Sequence, residues 1–260
     1  MAIPPARTLE MTIEQVLLLL AAGALSGFLN VMSAGGSMIT LPVLMFVGLD
    51  STTANGSNRV GIVLQNITAT WKYRSAGHRH LRLGIKLSVP AVAGAVVGAW
   101  AATLVGDDLF RWILILVMVG SSVIMLMPMP THRDTVYLED SHLRWPVIAA
   151  MGVIGFYGGF IQVAVGILFI VLLYRILRID LVQVNILKVL VVLFYMVPAL
   201  GIFMATGNVH WGFGLVLAAG SMAGAWLGAH MTLGPRGAVW IQRITLLIIA
   251  AIIIKLIADM

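Results

Sequence analysis

Asn30-Val-Met-Ser33-Ala-Gly35-Gly36-Ser37 interrupts a run, Gln15 to Leu49, that carries no charged residue. A second uncharged run, Trp145 to Tyr174, is interrupted by Gly158-Gly159-Phe-Ile-Gln162 and Gly166. Both runs are apolar enough for lipid, yet small and polar residues stand where a helix would otherwise continue. Irregular backbone at membrane depth persists only where protein or a watery cavity satisfies its polar groups. Broken segments at matching places in two halves point to a transporter's binding site.

The rest of the chain agrees with this reading. Its 260 residues are 60% hydrophobic and 10% charged, with a mean hydropathy of +1.03, which excludes an ordinary soluble domain. The net charge of +6 reports topology before it reports any affinity for nucleic acid, and none is expected. There is no cysteine, so disulfides, thiolate metal sites and thiol nucleophiles are absent. Met1 to Glu14 holds one arginine and two glutamates, a poor start for a signal peptide, and the segment is expected to be retained.

Apolar runs fall at about 13–32, 36–48, 53–75, 84–105 and 109–128, then at 145–160, 163–176, 182–205, 212–231 and 237–258. The chain therefore reads as all-α and polytopic: a first membrane repeat at 1–128, a linker at 129–144 and a second repeat at 145–260. The halves align at an offset near 129, which pairs Arg59 with Lys188 and Ser33 with Gln162. Ala93-Gly94-x-x-x-Gly98-Ala99 pairs with Ala223-Gly224-x-x-x-Gly228-Ala229, and Gly23-x-x-x-Gly27 resembles Gly155-x-x-x-Gly159. Close helix packing is the expected role of these glycine pairs.

Lys72, Arg74, Arg79, Arg82 and Lys86 cluster around one loop, which the positive-inside rule makes cytoplasmic. Counting outward from it places both termini outside a cell membrane. An odd number of segments per half inverts the second repeat. Thirty uncharged residues after Arg144 are too many for one crossing and too few for two at about 20 residues each. Arms of about 13–15 residues reach about 20 Å at 1.5 Å per residue. Two broken or re-entrant hairpins entering from opposite faces are therefore predicted.

Asn55, Asn58, Arg59, Gln65 and Asn66 recur at helical spacing and form a polar stripe, which must face the bundle or water. Arg59 is thus one candidate for binding substrate and Lys188, in Gln183-Val-Asn185-Ile-Leu-Lys188, is its counterpart. The alternative for both is snorkelling to an interface. Ser33, Gly35, Gly36, Ser37 and Gln162 lie in the breaks. They read either as tightly packed turns or as helix starts whose N–H groups and positive dipole ends meet an anion, with Asn30 and Asn58 adding donors.

All ten acidic residues lie in tails, loops or segment ends, and no histidine spacing forms a metal motif. No cofactor, metal or catalytic pair is expected. Two cations, many amides and no acid suit a small anion.

Gly27-Phe-Leu-Asn30-x-x-Ser-Ala-Gly35-Gly36-Ser37-x-Ile-Thr-x-Pro42 and Ala54-x-Gly-x-Asn58 resemble the sulfite exporter TauE/SafE family of membrane permeases. That resemblance implies a small secondary transporter of the cytoplasmic membrane, handling sulfite, organosulfonates or related anions. The expected partners are that anion and the lipid bilayer, with coupling to protons open and no homo-oligomer indicated. An anion channel and a receptor or assembly protein without transport are the rival readings.

Overall fold

The computed structural model describes residues 11–32, 35–77, 81–126, 143–232 and 254. Ser33, most of the linker and the last expected segment at 237–258 lie outside the described residues. Within them the chain is helical throughout: α1 (Ile13–Met32), α2 (Ser37–Phe46), α3 (Ser51–Ser75), α4 (Leu81–Thr103), α5 (Asp107–Leu126), α6 (Trp145–Phe160), α7 (Val165–Phe169) continued by a π-helical stretch (Ile170–Ile176), α8 (Leu181–Ala205) and α9 (Trp211–Thr232). Of these, α1, α4, α8 and α9 are long and apolar enough to cross a bilayer. The protein is membrane-embedded.

Local chemistry explains where the long helices begin and end. Asp50 accepts from Thr53 N at 2.9 Å and Asp180 from Gln183 N at 3.0 Å, so an aspartate N-cap opens both α3 and α8. Each helix is 25 residues long. Each is followed by a glycine in the left-handed region, Gly77 (φ +90°) or Gly207 (φ +75°), a conformation that stops a helix at little cost to glycine.

The glycine pairs set the packing. A Cβ on Gly155 or Gly159 of α6 would strike the carbonyl oxygens of Ala91 or Ala95 of α4, and one on Gly94 or Gly98 would strike α6 in return. The same reciprocal contact joins Gly23 and Gly27 of α1 to Gly220 and Gly224 of α9. Backbones this close gain dispersion contacts that bulkier side chains would forbid. α3 and α8 cross between these pairs, with α3 against α9 and α8 against α4.

Hydrogen bonds identify the two ends of the bundle. Gln15 Nε2 donates to Val47 O (3.4 Å), Ser51 N to Asp107 Oδ1 (2.6 Å) and His210 N to Ser57 Oγ (2.8 Å). The start of α1, the end of α2 and the starts of α3, α5 and α9 therefore share one end. The α3–α4 turn and the start of α8 lie at the other, with Arg74, Arg82, Lys86 and Arg178 exposed there.

Both predicted breaks are present, but their arms are unequal. The first pairs 20 residues (α1) with 10 (α2), and the second pairs 16 (α6) with a short α7 and its π-helical extension. Equal arms of 13–15 residues do not occur, because α1 and α6 each lie along a full-length helix, α9 and α4, whose glycines hold them nearly across the bundle.

Candidate functional site

The two breaks meet. Ser37 Oγ donates to Gln162 O (3.3 Å) and accepts from Ala164 N (3.3 Å), so one hydroxyl of the first half replaces two helical partners lost in the second. Gln162 (φ 64°) and Ala164 (φ 56°) are both left-handed without being glycine, and such strain concentrates where surrounding structure enforces it. Tyr157, from α6, adds a bond from its hydroxyl to Val163 O at 2.5 Å.

On the first side, Asn30 Oδ1 accepts the Ser37 N–H at 3.1 Å. A Cβ on Gly36 would collide with Ser26 O, so the returning chain touches α1 directly. Gly35 is buried beside it. The N–H groups expected to be free at the helix restarts are largely engaged. Met38 N and Ile39 N bond to Gly35 O and Gly36 O, and Val165 N bonds to Gln162 O.

Beside this junction lies a cavity of about 20 Å³ lined by Asn30, Gln65, Asn66, Gln162 and Lys188, with Val165 and Val192 forming its apolar wall. A volume of that size holds about one water. Lys188 is 3% exposed and donates from Nζ to Asn185 Oδ1 at 2.9 Å. Gln162 Oε1 accepts from the Tyr195 hydroxyl at 2.7 Å. Among the described residues no carboxylate lines the cavity and no metal-binding cluster occurs.

Arg59 is placed elsewhere. It is completely buried, which excludes snorkelling, and it faces the C-terminal end of α6. Its Nη2 donates to Gly159 O (2.5 Å), Phe160 O (3.3 Å) and Asn55 Oδ1 (3.3 Å), and its Nη1 donates to Gly158 O (3.3 Å) and Met196 Sδ (3.3 Å). Phe203 covers the guanidinium at 4.4 Å. Asn55 Nδ2 donates to Phe160 O at 2.8 Å. A helix ending inside the bundle leaves carbonyls that nothing in lipid can satisfy, and a cation there also opposes the negative end of the helix dipole. Asn58 is buried with Nδ2 unpartnered and does not line the cavity.

Of the residues singled out in the sequence, Gln162 and Lys188 line the cavity and Gly35, Gly36 and Ser37 build its neighbouring junction. Arg59 and Asn58 fall outside it. Asn30, Gln65 and Asn66 line it as well. The signal for Asn30 was the first break, and for Gln65 and Asn66 the polar stripe of α3, whose far end reaches the cavity while its near end holds α6.

The family model for sulfite exporter TauE/SafE matches residues 19–256. The chain belongs to this family of membrane transporters. Among its relatives, the probable membrane transporter protein ORF9 of Sinorhizobium sp is 26% identical over 93% of this chain and 92% of its own length. The probable membrane transporter protein YfcA of Escherichia coli K12 is 26% identical over 90% of this chain and 87% of its own. A probable membrane transporter protein of Haemophilus influenzae is 20% identical over 86% and 88%. No solved structure matches the chain. Asn30, Gly36 and Ser37, from the stretch whose sequence resembles the family, sit where the two breaks join, and Asn30 also faces the cavity.

Proposed function

We propose that this TauE/SafE protein is an alternating-access carrier that exports a small sulfur-containing anion, sulfite or an organosulfonate, and performs no catalysis. The observation that carries this reading is the cavity at the meeting of the two breaks, which presents one buried lysine, four amides and no carboxylate. A desolvated anion needs charge and N–H donors, and a hard cation would find few oxygens and a repelling ammonium. The family's description supports sulfite and the outward direction.

The paired contacts support two inverted repeats, because α1 on α9 is matched by α6 on α4, and α3 on α9 by α8 on α4. Basic residues gathered at one end support a cytoplasmic assignment for that end and external termini in a cell membrane. The hairpins then enter from opposite faces. Because the cavity holds about one water, the breaks must separate to admit an oxyanion, and closure around it is the occluded step of the cycle. With no carboxylate among the described residues that line the cavity, a coupled proton travels with the anion itself. Asn66, which spends an N–H on Ile62 O at 2.7 Å, keeps its oxygen for such an O–H.

The test is sulfite flux in liposomes. Lys188→Ala and Lys188→Met protein that inserts normally should lose saturable, counter-flow-stimulated transport. Wild-type flux in both variants would remove the site, and single-channel conductance would replace the carrier with a pore.

A further inference from the structure

We propose that Tyr195 is a positioning residue of this site, fixing the amide of Gln162 so that N–H groups, not oxygen, face the anion. The inference rests on the anion-carrier reading and deepens it by naming what sets the polarity of the cavity.

A primary amide has two nearly isosteric faces, one accepting and one donating. In an anion site the orientation decides the sign of the contact, because an oxygen turned inward repels the guest. Asn30 has its orientation imposed: its Oδ1 accepts the backbone N–H of Ser37, a group that can only donate. For Gln162 the same service falls to Tyr195, whose hydroxyl donates to Oε1 at 2.7 Å. Both partners are buried, Tyr195 at 0% and Gln162 at 4% exposure, so water does not compete for the bond. Occupying Oε1 leaves the Nε2 hydrogens as the part of the amide available to the cavity that Gln162 lines.

The surrounding structure makes room for this contact. Gly158 stands against the phenol, and a Cβ there would press on the Tyr195 hydroxyl and ring. Tyr195 follows Lys188 by seven residues, about two turns of α8, so one face of one helix supplies the cation and the group that orients the neighbouring donor. The left-handed backbone of Gln162 turns its side chain towards α8 instead of along α6.

The experiment measures sulfite binding under anoxic conditions to the full chain in lipid nanodiscs, using Tyr195→Phe, Gln162→Met, the double variant and Lys188→Ala. Tyr195→Phe removes one oxygen and should raise the sulfite Kd about tenfold, the scale of one hydrogen bond to a charged group. Gln162→Met keeps the bulk, drops the amide and should weaken binding by a similar factor. If Tyr195 acts through Gln162, the double variant binds no worse than Gln162→Met alone. Unchanged binding by either single variant, or a full additional loss in the double variant, overturns the proposal. Loss in Lys188→Ala with wild-type binding in Tyr195→Phe sinks this inference alone. Wild-type binding in Lys188→Ala sinks the anion site itself.

Discussion

Replacing Arg59 with methionine separates a staple from a ligand. The guanidinium bonds to three carbonyls at the end of α6. Phe160 O keeps a second donor, Asn55 Nδ2, so of these main-chain carbonyls the substitution strands two, Gly158 O and Gly159 O, and it also takes a donor from Asn55 Oδ1. Leaving a buried acceptor unsatisfied costs about 1–3 kcal/mol, or about 2–6 kcal/mol for the pair. Interhelical bonds in membranes measure nearer about 0.6 kcal/mol, because the unfolded reference in lipid also finds partners. The complete burial of Arg59 favours the larger figure and the membrane reference the smaller. The expected destabilisation is therefore about 2–4 kcal/mol. Arg59→Lys should recover only part of it, since an ammonium is a point donor and cannot bridge neighbouring carbonyls as a planar fork does. Steric-trapping unfolding in bicelles reads the stability, and sulfite binding, normalised to the folded fraction, reads the site. The folded fraction of Arg59→Met should bind sulfite within about threefold of wild type, a difference of about 0.7 kcal/mol. Wild-type stability with a large loss of affinity would refute the staple and make Arg59 an anion ligand.

Three further outcomes follow from the packing, the junction and the ends. Gly155→Leu places a side chain against Ala91 O and should abolish insertion or folding. Gly120→Ala, where a Cβ meets nothing, should be silent in the same steric-trapping assay. Ser37→Ala removes the hydroxyl shared by Gln162 O and Ala164 N and should lower local stability by about 1–2 kcal/mol, seen as faster hydrogen exchange at Ala164 with the global unfolding transition less affected. Since the chain has no cysteine, Ala76→Cys should resist impermeant thiol reagents in intact cells while Asp108→Cys labels, and the reverse pattern overturns the orientation.

The parts of this fold that were legible in the sequence are those written in side chains or in their absence. Uncharged runs locate the buried segments, and glycines mark the breaks and the close helix pairs. Contacts made by backbone were not legible. The partners of Arg59 are carbonyls about a hundred positions away, and a carbonyl leaves no trace in a sequence. An arginine bound to them therefore looks identical to one that snorkels or one that waits for a ligand. The partners of most N–H groups at the helix restarts were illegible as well, since their acceptors are main-chain oxygens, the amide oxygen of Asn30 and the hydroxyl of Ser37. The polar stripe of α3 was visible as a stripe, but its division between Arg59 on α6 and Gln65 and Asn66 on the cavity depends on where α6 and α8 cross it.

That division also accounts for the unequal pair of cations. Arg59 stands nine residues after its cap Asp50 and Lys188 eight after Asp180, so on helices of equal length the two cations are one position, about 100°, out of register. One is arginine where a broken helix end must be tied through several carbonyls at once. The other is lysine, a compact and more strongly hydrated charge with rotatable donors, and it borders a cavity. A bidentate fork held by five acceptors on its own protein is a poor ligand for a guest that must also leave, because each transport cycle would break bonds that hold α6 in place. The contact of Lys188 to Asn185 lies within its own helix, so releasing that bond detaches no neighbouring helix. Under the proposed carrier reading, the chemistry of the two side chains gives the stationary task to Arg59 and the exchangeable one to Lys188. Swapping them, as Arg59→Lys with Lys188→Arg, should cost stability at the first position and slow anion release at the second.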